Sequence, residues 1–181
     1  MKRSGKVLIV CHCLLNANAK VPPLASTGGV YAGILQPFIG AGVGIAQLPC
    51  PELTYLGMNR WGMTKEQYDN PCFRSHCERL LEPMLQQVEG FVRGGYAILG
   101  VIGMDGSPNC GVNRTCLGFT GGEIGADVAR QVDAARMVEG EGVFMEMFRE
   151  ALEKRGINIP FRAVDEEDPS SIHNKNGENL L

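Results

Sequence analysis

Three apolar runs set the strongest limit on how this chain can fold. "KVLIVC" (Lys6–Cys11), "VGIAQLP" (Val43–Pro49) and "YAILGVIG" (Tyr96–Gly103) lack the alternation of a half-wet strand. All three read as strands, the first and third of them buried, as in a parallel sheet between two helical layers. Helical signals fill the gaps. "DNPCFRSHCERLLEPMLQQVEGFVRGG" opens with an Asp-Asn-Pro start and repeats Phe73, Cys77, Leu80, Leu81, Met84 and Val88 at helical spacing. Pro83 is expected to kink that helix, and Gly94 with Gly95 to end it. In "STGGVYAGILQPFIGAG", Ser26 or Thr27 offers a helix cap before an apolar stretch interrupted by Pro37. Phe144, Met147, Phe148, Ala151 and Leu152 mark a last amphipathic helix, stopped by Gly156. "INIPFRAV" (Ile157–Val164) reads as a fourth strand, and its Pro160 suggests an edge.

Strands alternating with helices predict an α/β fold. The expected form is a small three-layer, flavodoxin- or Rossmann-like parallel sheet of about four strands, with helices on both faces. The expected strand order is 2-1-3-4, which opens a crevice at the carboxyl end of the first strand. Residues 1–164 form one domain on this reading, and 165–181 a polar, loosely held tail. "MDGSPNCGVNRTCLGFTGGE" reads as a long loop, and "GADVARQVDAARMVEGEG" as a short helix leading into a glycine break.

With 181 residues, one domain with a real core is expected. A net charge of -3 gives no global pull toward a nucleic acid polymer or an anionic membrane. No apolar run reaches bilayer length, and "MKRSGKVLIVCHCLLN" lacks a cleavage-site pattern, so a cytoplasmic location is expected. Seven cysteines, an odd number, then point to metal binding or thiol chemistry rather than a disulfide framework.

Cys13 follows the first strand, Cys50 the second in "PCPE", and Cys110 the third in "GSPNCG". Adjacent parallel strands lie about 5 Å apart, so the three thiols are expected to converge over the crevice. Both zinc and an iron–sulfur cluster accept such ligands, and spacing alone does not separate them. Three ligands leave one metal position open, which catalysis needs.

"CLLN", "PCPE" and "GSPNCG", in this order and at these separations, resemble the signatures of the thiouracil desulfidase family. "GEGVFMEMFREALEKRGI" resembles that family's final helix and the approach to its last strand, and the likeness covers most of Lys6–Val164. The family removes sulfur from thiolated nucleobases with a [4Fe-4S] cluster. Three cysteines hold the cluster, and the fourth iron takes the departing sulfur. The resemblance implies Cys13, Cys50 and Cys110 as iron ligands, Glu52 as an acid/base group, and Ser107 as a partner of substrate or sulfur. The substrate would be a small thiocarbonyl compound. The chain departs from the family pattern after "CLL", where "NANAKVPPLASTGG" stands, and from Asn113 to Glu123.

Other chemistry-bearing residues have plainer readings. Alone, Glu52 would cap a turn after Pro51 and Ser107 would be an ordinary turn residue; within their motifs both read as functional. Cys11 is expected to pack against a helix, His12 to be a satisfied structural histidine, and Cys77 to lie in the core. Cys72 stands at a helix start, outside the ligand set, and Cys116 is a loop thiol that could line the site. Turn chemistry accounts for Asp105 and Asn109. The glycines of "STGGVYAG" match neither a dinucleotide fingerprint nor a P-loop and are expected to shape the crevice. Two rivals to a desulfidase remain. One is a non-enzymatic iron–sulfur or zinc protein in sulfur handling or redox sensing. The other is a nucleotide-binding module whose cysteines are incidental.

Overall fold

The structure, a computed structural model, describes residues 3–123, 128–165 and 168–174. Its centre is a five-stranded sheet in the order β2-β1-β3-β6-β7. The strands are β1 (Lys6–Val10), β2 (Gly44–Gln47), β3 (Ala97–Asp105), β6 (Phe161–Asp165) and β7 (Ile172–His173). The first four run parallel and β7 is antiparallel to β6. Helices flank this sheet in a three-layer, Rossmann-like arrangement. The predicted order 2-1-3-4 thus describes β2-β1-β3-β6, with β7 added outside.

Burial explains the strand readings. Ile9, Val10 and Cys11 have no exposed surface, and Leu8 has 1%. At that exposure no wet face exists to demand alternation. Gly100 fits a bulge, because β3 skips one residue against β1 between Val7 and Leu8. A Cβ at Gly100 would stand 2.6 Å from the Pro160 carbonyl oxygen, which accepts from the Val101 amide.

The helices are α1 (His12–Leu15), α2 (Ala32–Gly40), α3 (Pro51–Leu56), α4 (Lys65–Tyr68), α5 (Pro71–Arg93), α6 (Val128–Ala134) and α7 (Val143–Glu153), with a 3-10 turn at Ala17–Ala19. The start of α5 is the predicted one. The Asn70 side chain accepts from the Phe73 amide and Pro71 occupies the first turn. The helix runs unbroken through Pro83 and packs its buried face, including Phe73, Cys77, Leu81 and Val88, beside α7.

Several expectations give way. Neither Ser26 nor Thr27 caps α2; Tyr31 stands at that position, with no side-chain cap. The presumed loop after β3 is an antiparallel ribbon of β4 (Arg114–Leu117) and β5 (Arg136–Glu139), joined through α6. Glycines and short polar runs hid it, since a four-residue strand carries little pattern. Pro160 precedes β6 rather than marking an edge, because β7 covers that strand. β7 comes from the presumed tail, where Ser171 and Ile172 are buried. The last part of that tail, 175–181, lies outside the described residues.

Candidate functional site

Three strand ends deliver the predicted thiols to one place. The Cys11 amide donates to the Ile102 carbonyl at 2.9 Å, extending the ladder one residue past β1, and the chain then turns into α1, which carries Cys13. The Leu48 amide donates to the Val10 carbonyl at 2.8 Å, and Cys50 follows as the residue capping α3. Cys110 lies in the turn after β3, held where its carbonyl accepts from the Met104 amide at 2.8 Å. That contact needs Gly103, since a Cβ there would stand 2.3 Å from the Cys110 carbonyl oxygen.

Cys13, Cys50 and Cys110 line one cavity of about 300 Å³ together with His12, Glu52 and Ser107. Cys11 is fully buried in the hydrophobic core, next to this wall. Its Sγ lies 3.5 Å from that of Cys13 and it hydrogen-bonds to Cys110, so the sulfurs form a row with Cys11 in the middle.

Burial and neighbours shift Cys11, Cys50 and Cys110 toward the protonated thiol. The hydrogen bond to Cys110, together with burial, raises Cys11 well above the usual thiol range. Burial pushes Cys50 up to about 11, against the pull of the Leu53 amide, which donates to its sulfur at 3.4 Å. For Cys110 the Cys11 hydrogen bond pulls downward, but burial and the neighbouring Cys13, Cys50 and Glu52 push it up to about 11. Several acidic groups crowded into one buried space favour a cation there, and metal binding would release their protons.

Glu52 extends from the first turn of α3. Its Oε1 accepts from Asn109 Nδ2 at 3.0 Å and its Oε2 from Arg60 Nε at 3.4 Å. The Arg60 side chain is only 4% exposed and also donates to the carbonyls of Gly57 and Ala19. Sequence reasoning missed Arg60 and assigned Asn109 to turn chemistry alone. The stretch "GMNRWGM" around Arg60 carries no motif that marks this role. The buried Tyr68 hydroxyl lies near the same carboxylate without closing a hydrogen bond.

Ser107 has both a turn role and a place in the cavity wall. Its Oγ accepts from the amides of Asn109 at 3.3 Å and Cys110 at 3.0 Å. With both lone pairs engaged, its proton is the group left to offer a ligand. Asp105 is structural, as expected. Its Oδ1 accepts from the amides of Val112, Asn113 and Arg114, and its Oδ2 from Asn113 Nδ2.

Of the remaining candidates, Cys116 lines the cavity from β4. Cys77 is fully buried in the core and Cys72 is exposed. His12 lines the cavity and pairs with the Asn16 amide at 3.4 Å, while burial lowers its proton affinity. Gly28 and Gly29 stand outside the wall, which Ala19, Lys20, Val21 and Leu24 supply instead. Among the described residues, no group of three or more His, Cys, Asp or Glu side chains is gathered tightly enough to hold a single metal ion. The thiols stand around a shared space, as ligands to separate corners of a cluster must. An all-sulfur donor set fits thiophilic iron.

No family model matches the chain, and no solved structure matches it. It is similar to an uncharacterized protein of Methanocaldococcus jannaschii, 29% identical over 173 residues that cover 96% of this chain and 93% of the other. Among the described residues, no helix is long and apolar enough to cross a membrane.

Proposed function

We propose that this chain is an iron–sulfur-dependent desulfidase acting on a small thiocarbonyl compound such as a thiolated nucleobase. The observation that carries the reading is the meeting of Cys13, Cys50 and Cys110, from three strand ends, in the wall of one cavity that also holds Glu52 and Ser107. These cysteines would hold a [4Fe-4S] cluster. When bound, it supplies an open, thiophilic, Lewis-acidic iron beside the substrate sulfur.

The protein's own groups complete a hydrolysis. Asn109 and Arg60 fix the Glu52 carboxylate in the cavity wall, where it takes a proton from an attacking water. The Ser107 hydroxyl donates its remaining hydrogen bond to the substrate or the leaving sulfur. The C–S bond breaks as a C–O bond forms, so thiocarbonyl and water give carbonyl and hydrogen sulfide. No external electron is consumed.

One observation favours a second reading. Cys11 stands beside Cys13 and Cys110, so a fourth thiol is at hand. Four thiolates would close the metal site, as in a non-enzymatic iron–sulfur or zinc protein of sulfur handling or redox sensing.

The test is anaerobic assay of loaded protein against a panel of thiobases, scored for released sulfide. Glu52→Gln with metal content intact is expected to lower turnover by about 10²-fold or more. Unchanged turnover removes the base role. Cys11→Ala is expected to keep both metal and activity, and loss of metal there establishes the closed site.

A further inference from the structure

Behind the first thiol of the cavity wall stands a second. Cys13 is partly exposed and lines the cavity, whereas Cys11 has no exposed surface and lies in the core. Their sulfurs are 3.5 Å apart, about 1.5 Å more than a disulfide bond. An open site with three metal ligands gives Cys13 a role and leaves Cys11 without one.

The two thiols differ in reach and in freedom to move. A small oxidant entering the cavity meets Cys13 and not Cys11. The Cys11 amide is tied to the Ile102 carbonyl at 2.9 Å. Cys13 sits on α1, a helix of four residues whose start has no side-chain cap. So short a helix has little stability of its own, and Cys13 can close the gap. Cys110 also neighbours Cys11, but its turn is clamped. Its amide donates to Ser107 Oγ at 3.0 Å, and its carbonyl accepts from the Met104 amide at 2.8 Å.

We infer that Cys13 is a site of reversible oxidation and that Cys11 is its resolving thiol. In the protein without its metal, hydrogen peroxide transfers one oxygen to the Cys13 sulfur, giving a sulfenic acid and one water. The Cys11 sulfur then displaces the hydroxyl as a second water, and a Cys11–Cys13 disulfide forms. The two thiols give up two electrons and two protons, the peroxide O–O bond takes them up, and a dithiol reverses the change. The disulfide spares Cys13 the irreversible sulfinic and sulfonic stages and withdraws it from metal binding until it is reduced. This pairing rests on the thiol geometry alone, and only its effect on the metal rests on the cluster reading.

Peptide mapping tests the pairing on the full chain, stripped of metal, treated with equimolar hydrogen peroxide and then alkylated. Cleavage after Lys6 and Lys20 puts both cysteines on one fragment, 7–20, and cleavage after Arg93 and Arg114 puts Cys110 on another, 94–114. The expected product is fragment 7–20 without alkyl groups and lighter by two hydrogens, which takes up two alkyl groups after dithiothreitol. Iron uptake should fall about tenfold or more on oxidation and return with dithiothreitol, since a disulfide sulfur is no thiolate ligand. Cys11→Ala and Cys11→Ser, each checked by circular dichroism, should accumulate sulfinic acid at Cys13, about tenfold or more above the parent and beyond rescue by dithiothreitol. The parent map decides the pairing even where a variant fails to fold. A Cys11–Cys13 disulfide with no effect on iron uptake supports the inference and counts against the cluster reading. Sulfinic acid at Cys13 formed as fast in the parent as in the variants, a bond between fragments 7–20 and 94–114, or two thiols that stay free overturns the inference.

Discussion

Replacing Asp105 with alanine should uncouple the turn that carries Cys110 from the sheet. The carboxylate is 5% exposed and accepts three backbone amides and one side-chain amide, at 2.7–3.2 Å. Deleting it leaves the amides of Val112, Asn113 and Arg114 without acceptors. Each buried donor so orphaned costs about 1–3 kcal/mol. The three share one acceptor and can partly rehydrate, so the sum is nearer the lower bound, about 3–5 kcal/mol. That is a large part of the roughly 5–15 kcal/mol available to a domain. Urea denaturation followed by circular dichroism measures it, and amide hydrogen exchange localises it to residues 112–114. Asp105→Asn should cost much less, about 1 kcal/mol. The introduced amide keeps one acceptor oxygen, and Asn113 can turn its own buried, unpartnered Oδ1 toward the new NH₂ group. A loss below about 1 kcal/mol for the alanine variant, with slow exchange still seen at 112–114, would refute the assignment of Asp105 as the clamp of this turn.

Two further outcomes follow from the same geometry. Tyr68→Phe removes a buried hydroxyl that has no hydrogen-bond partner among the described residues, so the variant should be as stable as the parent or more so, by up to about 1 kcal/mol, or 2–4 °C in melting temperature; a drop of several degrees would mean the hydroxyl is satisfied. Glu146 is pushed up by burial but held below its ordinary value of 4.5 overall by Lys65 at 2.7 Å and Arg74 at 2.8 Å. A depressed carboxylate gives stability that is fully present above that value and lost as pH falls through the lower folded value. Melting temperature should therefore fall less steeply below about pH 4.5 in Glu146→Gln than in the parent, and parallel curves would contradict this.

The parts of this fold that were legible in sequence are those where burial acts on many residues at once. The buried runs of β1 and β3, the apolar but half-exposed β2, and α5 with its Asn70–Pro71 start left patterns strong enough to order four strands correctly. The ribbon did not, because β4 and β5 are four residues each and are held by pairing across a break of 18 residues. β7 escaped for the same reason: two residues of a polar segment bury Ile172 against β6, and no periodicity exists over two residues. At the site, the strand-end rule brought Cys13, Cys50 and Cys110 together because sheet geometry fixes where each strand stops. Arg60 and Asn109 were not legible, since their roles depend on loops returning to Glu52 from 8 and 57 residues away.

That Cys13, Cys50 and Cys110 together hold one cluster is tested most directly by anaerobic reconstitution with iron and sulfide. Both are counted per chain, visible absorption is recorded, and single alanine variants at those positions are compared with variants at Cys72, Cys77 and Cys116. The expected result is about four irons and about four sulfides per chain, abolished by each change in the first group and kept in the second. Iron that fails to bind, or that binds equally well without Cys13, Cys50 or Cys110, would contradict it.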